Sequence, residues 1–136
     1  MTAPLEYDVV ASRIDAHGGL ATARQAQIRL DTDPAGQAGA FNPAELLLAA
    51  TAACMLKGAE RVAPMIGFDL RGMEVRVHAT RRDNPPRIVS IEYDILVDTP
   101  EDDRRLELLH TNIRKYGTVS NTLADAVALS GTIRRR

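Results

Sequence analysis

A chain of 136 residues with 45% apolar composition is long enough for one hydrophobic core and too short for two ordinary domains, so residues 1–136 read as a single domain. Its 17 basic and 18 acidic residues leave a formal charge of -1. The basic ones are scattered, with no run longer than a pair except Arg134-Arg135-Arg136 and with Arg81-Arg82 among the pairs, so no nucleic-acid footprint is present and the terminal arginines read as a solvated end.

The segment Met1 to Glu6 lacks the basic region and long apolar stretch of a signal peptide. The longest apolar stretch, Leu46 to Leu56, holds eleven residues, Thr51 among them. Spanning a bilayer takes about 20, so no membrane partner is expected and the cytoplasm is the expected compartment. A single cysteine excludes an intrachain disulfide.

Two extended segments open the chain, about Tyr7 to Asp15 and Ala21 to Asp31, and His17-Gly18-Gly19 reads as the turn of a hairpin between them. In the second segment the period of two puts Arg24, Ala26, Ile28 and Leu30 on one face, so Arg24 is expected to point with the apolar set. A helix then starts sharply. Asn42 suits the N-cap, Pro43 the first helical position, and Glu45 the third, where its carboxylate can reach back to the cap. From Leu46 to Leu56 this helix is apolar nearly all round, the mark of an element surrounded by protein; it turns amphipathic at Lys57, Glu60 and Arg61, and Pro64 is expected to end it.

Beyond Gly67, Met73, Val75, Val77 and Ala79 alternate with polar residues, Asp83-Asn84-Pro85-Pro86 turns the chain, and Val89, Ile91, Tyr93, Ile95 and Val97 repeat the period. Two antiparallel, half-buried strands follow. Thr99-Pro100-Glu101-Asp102 opens a second helix, about Pro100 to Tyr116, with the stripe Leu106, Leu109 and Ile113 and with Gly117 placed for a left-handed C-cap. A last strand runs from about Asp125 to Arg134. The order ββ-α-ββ-α-β predicts an α+β fold in which antiparallel sheets surround a buried central helix. One small sheet covers only one side of that helix, so a homodimer packed through the central helices is predicted.

Cys54 is the one strong nucleophile. A reactive thiol needs a lowered pKa from a nearby cation, and an inert, buried thiol is the alternative. Lys57 and Arg61 follow it on roughly the same side but suit the solvated end of the helix, which leaves Arg24, by strand parity, as the candidate thiolate partner and Arg29 as the other arginine of that segment. Glu45, nine residues away, falls about 13 Å from Cys54 on the far face of the helix and reads as a cap. His17, His78 and His110 read as surface residues. No pair of them has metal-ligand spacing, and nothing resembles a phosphate loop, a dinucleotide fingerprint or a nucleophile elbow, so no metal or cofactor is expected.

Asn42-Pro43 with a leucine- and alanine-rich helix ending Ala52-Ala53-Cys54, then some sixty residues later a helix closing into Val119-Ser120-Asn121-Thr122-Leu123 and a final strand, resembles the OsmC/Ohr family of osmotically induced and organic hydroperoxide resistance proteins. The resemblance covers nearly the whole chain. It implies central helices between sheets, an intertwined homodimer, and thiol sites at its interface. Family members of known activity are peroxidases in which a helix cysteine attacks the hydroperoxide, an arginine and a glutamate hold the thiolate, and a second cysteine resolves the sulfenic acid. Carried onto this chain, the first cysteine is Cys54, the second falls on Gly117, and the glutamate falls on Ala44. The family arginine has no matching position in the motifs, and Arg24 is taken for it by strand parity.

Two functional readings follow. One is thiol-dependent reduction of a small organic hydroperoxide at Cys54, with an external thiol reductant because the chain offers no second cysteine. The other is non-catalytic binding of a small lipophilic molecule in the dimer-interface pocket.

Overall fold

The computed structural model describes residues 3–136. It groups the chain into two compact units, Met1–Leu47 and Leu48–Arg136. Met1 and Thr2, the start of the segment considered above as a leader, lie outside the described residues.

The first unit is an antiparallel meander of β1 (Val10–Asp15), β2 (Gly18–Ala23) and β3 (Ala26–Asp31). Three strands stand where two were expected. Gly18 and Gly19 belong to β2 and not to the turn; Gly19 pairs with Arg13, and a Cβ on it would lie 2.8 Å from the Ser12 carbonyl oxygen, too close for any side chain. The turn is built instead by Asp15, whose carboxylate accepts the N–H groups of His17 at 2.8 Å and Gly18 at 3.1 Å. The second departure is a two-residue hairpin turn at Arg24-Gln25, between paired Ala23 and Ala26. Arg24 takes φ +56°, the left-handed conformation that such turns demand. It therefore leaves the strand alternation, and the parity that set it on the apolar face does not hold.

β1 is exposed along its whole length, and Val10, Ile14, Ile28 and Phe41 are each more than half exposed. The unit closes on the start of α1 (Pro43–Met65), where the expected reciprocal cap is present. Asn42 Oδ1 accepts the Glu45 N–H at 2.8 Å and Glu45 Oε1 accepts the Asn42 N–H at 2.9 Å.

The second unit carries most of α1, a long hairpin of β4 (Gly72–Asp83) and β5 (Pro86–Asp98), α2 (Asp103–Tyr116), α3 (Thr118–Ala124) and β6 (Ala128–Arg135). The sheet order is β4-β5-β6. β4 pairs antiparallel with β5 as expected, but β6 pairs parallel with β5, so the sheet is mixed. The connection explains the direction: α2 and α3 carry the chain back across the sheet, as a parallel neighbour requires. Residues Pro100 to Asp102 precede α2, and Asp102 is its N-cap, accepting the Arg105 N–H at 2.9 Å. α1 continues one residue past Pro64, which sits in its last turn.

The core joins Met55, Ala59 and Val62 of α1 to Tyr93, Ile95 and Val97 of β5 and to Leu106, Leu109 and Ile113 of α2. Burying each large side chain of this set contributes roughly 1.5–3 kcal/mol. Only one stripe of α1 is buried, Thr51, Met55, Gly58, Ala59, Val62 and Ala63; Ala50, Ala53 and Leu56 are exposed on the other side. The terminal arginines are exposed as expected, yet they are ion-paired: Arg134 with Asp94 at 3.0 Å, Arg135 with Asp103 at 2.7 Å and Arg136 with Asp98 at 2.6 Å. Exposed pairs of this kind add little stability each.

Candidate thiol site

α1 and α2 meet where their side chains are small. Gly58 faces Ile113, with 3.7 Å between a Cβ built on Gly58 and the Ile113 side chain, and one turn further along both helices Cys54 faces Gly117. A Cβ built on Gly117 would lie 3.2 Å from Cys54 Sγ, 3.1 Å from Ser120 Oγ and 3.0 Å from the Ile113 carbonyl oxygen. Gly117 is buried, with φ -82° and ψ 111°. It is extended and not left-handed, because it ends α2 and begins α3 at once; the glycine is there for room and not for a special dihedral.

Cys54 is partly exposed, not sealed in the core. Its sulfur has one hydrogen-bond partner among the described residues, Ser120 Oγ at 3.9 Å. Ser120 is fully buried in α3. The sequence offered a signal for it, since Gly117 and Ser120 are three residues apart and share a face once Thr118–Ala124 is helical. Lys57 and Arg61 are exposed on α1, in keeping with a solvated helix end. Arg24 and Arg29 are exposed in the first unit, Arg24 at the hairpin tip and Arg29 on β3. Glu45 is occupied as a cap.

A second polar cluster was missed in the sequence, where His110 read as a surface residue. Its side chain is largely buried, and Nε2 shares a hydrogen bond of 2.6 Å with the Tyr93 hydroxyl, while Arg114 Nη1 donates to the same phenol oxygen at 3.0 Å. Burial pushes the His110 imidazole below its ordinary pKa and Arg114 adds to this, against Glu107, whose carboxylate lies 3.9 Å away and raises it. Space for the Tyr93 ring comes from Gly131 on β6, where any Cβ would collide with the ring and with the Tyr93 carbonyl. Among the described residues no three His, Cys, Asp or Glu side chains converge to hold a metal ion, and no helix is long and apolar enough to cross a membrane.

The sequence family of OsmC-like proteins matches residues 36–130, across both units and through Cys54 and Gly117. The chain belongs to the OsmC family. No curated protein matches this OsmC-family chain significantly in sequence. Among solved structures, an OsmC-like protein of Mycoplasma pneumoniae is similar with a TM-score of 0.90 at 22% identity, over 98% of this chain and 99% of that one. An organic hydroperoxide resistance protein of Legionella pneumophila gives a TM-score of 0.72 at 18% identity, over 97% and 98%. The organic hydroperoxide resistance protein OhrB of Bacillus subtilis gives 0.66 at 20%, over 96% and 98%. At these identities the likeness shows the OsmC fold, with its mixed α+β architecture.

Proposed function

We propose that this OsmC-family protein reduces small organic hydroperoxides by a one-cysteine cycle at Cys54, acting as a single domain in a cytoplasmic oxidative-stress defence. The Cys54 thiolate attacks the peroxide: an Sγ–O bond forms, the O–O bond breaks, and the departing alkoxide takes a proton to become an alcohol. Sulfur is oxidised by two electrons to a sulfenic acid and the hydroperoxide is reduced. An external low-molecular-weight thiol then displaces water to give a mixed disulfide, and a second equivalent releases the Cys54 thiol and leaves as the oxidised disulfide. The observation that carries this reading is that the backbone position beside Cys54 Sγ, 3.2 Å from a Cβ there, belongs to glycine. A reduction route through an intrachain disulfide is closed, and the regenerating thiol must come from outside.

Arg24, or Arg29 on the next strand, is the candidate cation for the thiolate, supplied by the same chain or by a second copy. A homodimer supports both roles: the exposed Val10, Ile14, Ile28 and Phe41 and the open side of α1 at Ala53 and Leu56 are surfaces that a second copy would cover. Binding of a lipophilic molecule without turnover is the second reading, favoured by Ala44 at the position of the family glutamate.

The test is consumption of cumene hydroperoxide by wild type and Cys54→Ser with a panel of small thiols. Thiol-dependent consumption by wild type alone is expected. Equal, background consumption by the two proteins, together with unmodified Cys54 by mass after peroxide treatment, overturns the peroxidase reading.

A further inference from the structure

The geometry points to a ligand site at the cleft beside Arg114, which takes a small, singly charged carboxylate on the free edge of the guanidinium. It does not depend on the reaction at Cys54.

The arginines of the chain single this one out. Among those described, only Arg105 and Arg114 are not exposed. Arg105 is ion-paired with Glu101 at 3.3 Å, whereas no carboxylate among the described residues is ion-paired with Arg114. Both hydrogen bonds of Arg114 leave from Nη1, at 3.0 Å to the Tyr93 hydroxyl and 3.4 Å to the Leu129 carbonyl oxygen. Its Nε and Nη2, which together form one edge of the guanidinium fork, have no partner among the described residues. That edge is how this chain clasps carboxylates elsewhere: Arg71 gives Nε and Nη2 to Asp69, Arg134 gives them to Asp94, and Arg136 to Asp98. A guanidinium partly withdrawn from water among neutral partners carries a desolvation cost, which a bound carboxylate offsets.

Arg114 lines a cleft of about 430 Å³ between α2 and β6, a volume suited to a small molecule. Tyr93 and Leu129 give it apolar wall, and Thr111 and Ser130 line it with hydroxyls that have no hydrogen-bond partner among the described residues. The guanidinium is in place before a ligand arrives, fixed by its Nη1 bonds and by the Tyr93 ring, whose centroid lies 5.8 Å away, so little side-chain freedom is left to lose. The charges in the cleft set the charge of the ligand. His110 adds no second cation at neutral pH, because burial and Arg114 hold its imidazole below the ordinary range. Glu107 lines the same cleft, its carboxylate 3.9 Å from His110 Nδ1. One cation opposite one resident carboxylate favours a monoanion over a dianion, and the planar fork favours a carboxylate.

The experiment titrates the isotope-labelled chain with benzoate at pH 7.5 and constant ionic strength, following the Arg114 Nε–H, Gly131 amide and His110 ring signals, with benzamide and inorganic phosphate in parallel. Saturable shifts at these signals with benzoate, and none with its neutral analogue benzamide, are the expected result. Arg114→Lys keeps the charge but loses the fork, and should weaken benzoate binding about tenfold, the worth of a charge-assisted hydrogen bond. The comparison of benzoate with benzamide uses wild type alone, so it decides the matter even where the variant fails to fold. Equal responses to benzoate and benzamide, a benzoate response that does not saturate, or undiminished binding by a folded Arg114→Lys overturns the site. Tighter binding of phosphate than of benzoate overturns the choice of a singly charged carboxylate.

Discussion

Replacing Gly117 by cysteine should let the chain close a disulfide with Cys54, and the geometry sets how much stability this adds. In a disulfide the second Cβ sits about 3 Å from the first sulfur, and the Cβ point of Gly117 is 3.2 Å from Cys54 Sγ. The φ of -82° suits any L residue, so the backbone imposes no penalty. Closing the loop from 54 to 117, about 64 residues, removes enough entropy from the unfolded chain to stabilise by about 4 kcal/mol. Against this stand the Ile113 carbonyl oxygen at 3.0 Å and Ser120 Oγ at 3.1 Å, which must yield by a few tenths of an ångström. Engineered disulfides commonly deliver less than the entropic figure. For a chain of this size the gain corresponds to an oxidised form melting about 8–15 °C above its reduced form. The assay is a pair of thermal melts of Gly117→Cys, with and without reductant, alongside thiol titration of native and unfolded protein. Two titratable thiols in the native, oxidant-treated variant would refute the juxtaposition of α1 and Gly117. Wild type, carrying one thiol, should show no dependence on reductant in the same melts.

The His110 environment sets a pH dependence. Its folded pKa lies below the unfolded value of about 6.5, so the unfolded chain takes the proton first; the stabilisation is present above that pH and is lost as pH falls toward the folded value. Urea unfolding between pH 7.5 and 5 should show this loss, and His110→Gln should flatten it; an unchanged slope in the variant would contradict the assignment. Gly131→Ala should cost about 2–3 kcal/mol, because the added methyl meets both the Tyr93 ring and backbone, and a melting temperature within a degree of wild type would disprove the packing. Asn42→Ala should cost about 1 kcal/mol by breaking the reciprocal cap of α1, read from chemical denaturation; a cost near zero would show the cap to be dispensable.

What could be read from the sequence was what local chemistry decides. The start of α1 was legible because Asn42, Pro43 and Glu45 each solve a problem of the first turn, and the β4–β5 hairpin because its alternation survives over both strands around Pro85-Pro86. The Arg24-Gln25 turn was not, since neither residue is a turn former and the left-handed φ of Arg24 is imposed by the pairing of the flanking strands. α3 is one short stretch with only Val119 and Leu123 at helical spacing, too little for a stripe to be read, and the parallel direction of β6 depends on two helices preceding it. At the site, Cys54 stood out by being alone. Its neighbour Ser120 could be tied to Gly117 by spacing, but its approach to the sulfur is set by the meeting of three helices. The same applies to Tyr93, His110 and Arg114, which come together across the sheet and α2.

The parallel strand β6 has a kinetic side. β4 and β5 are joined by a tight turn and can zip from Asp83 and Pro86 outward, a contact of short sequence separation. β6 pairs residues such as Ser90 with Ala128, so its loop-closure entropy is recovered only after α2 and α3 have docked. Substitutions in the β4–β5 turn should therefore slow refolding, whereas those on β6 should chiefly hasten unfolding, leaving the last strand as the place where the lifetime of the native state is set.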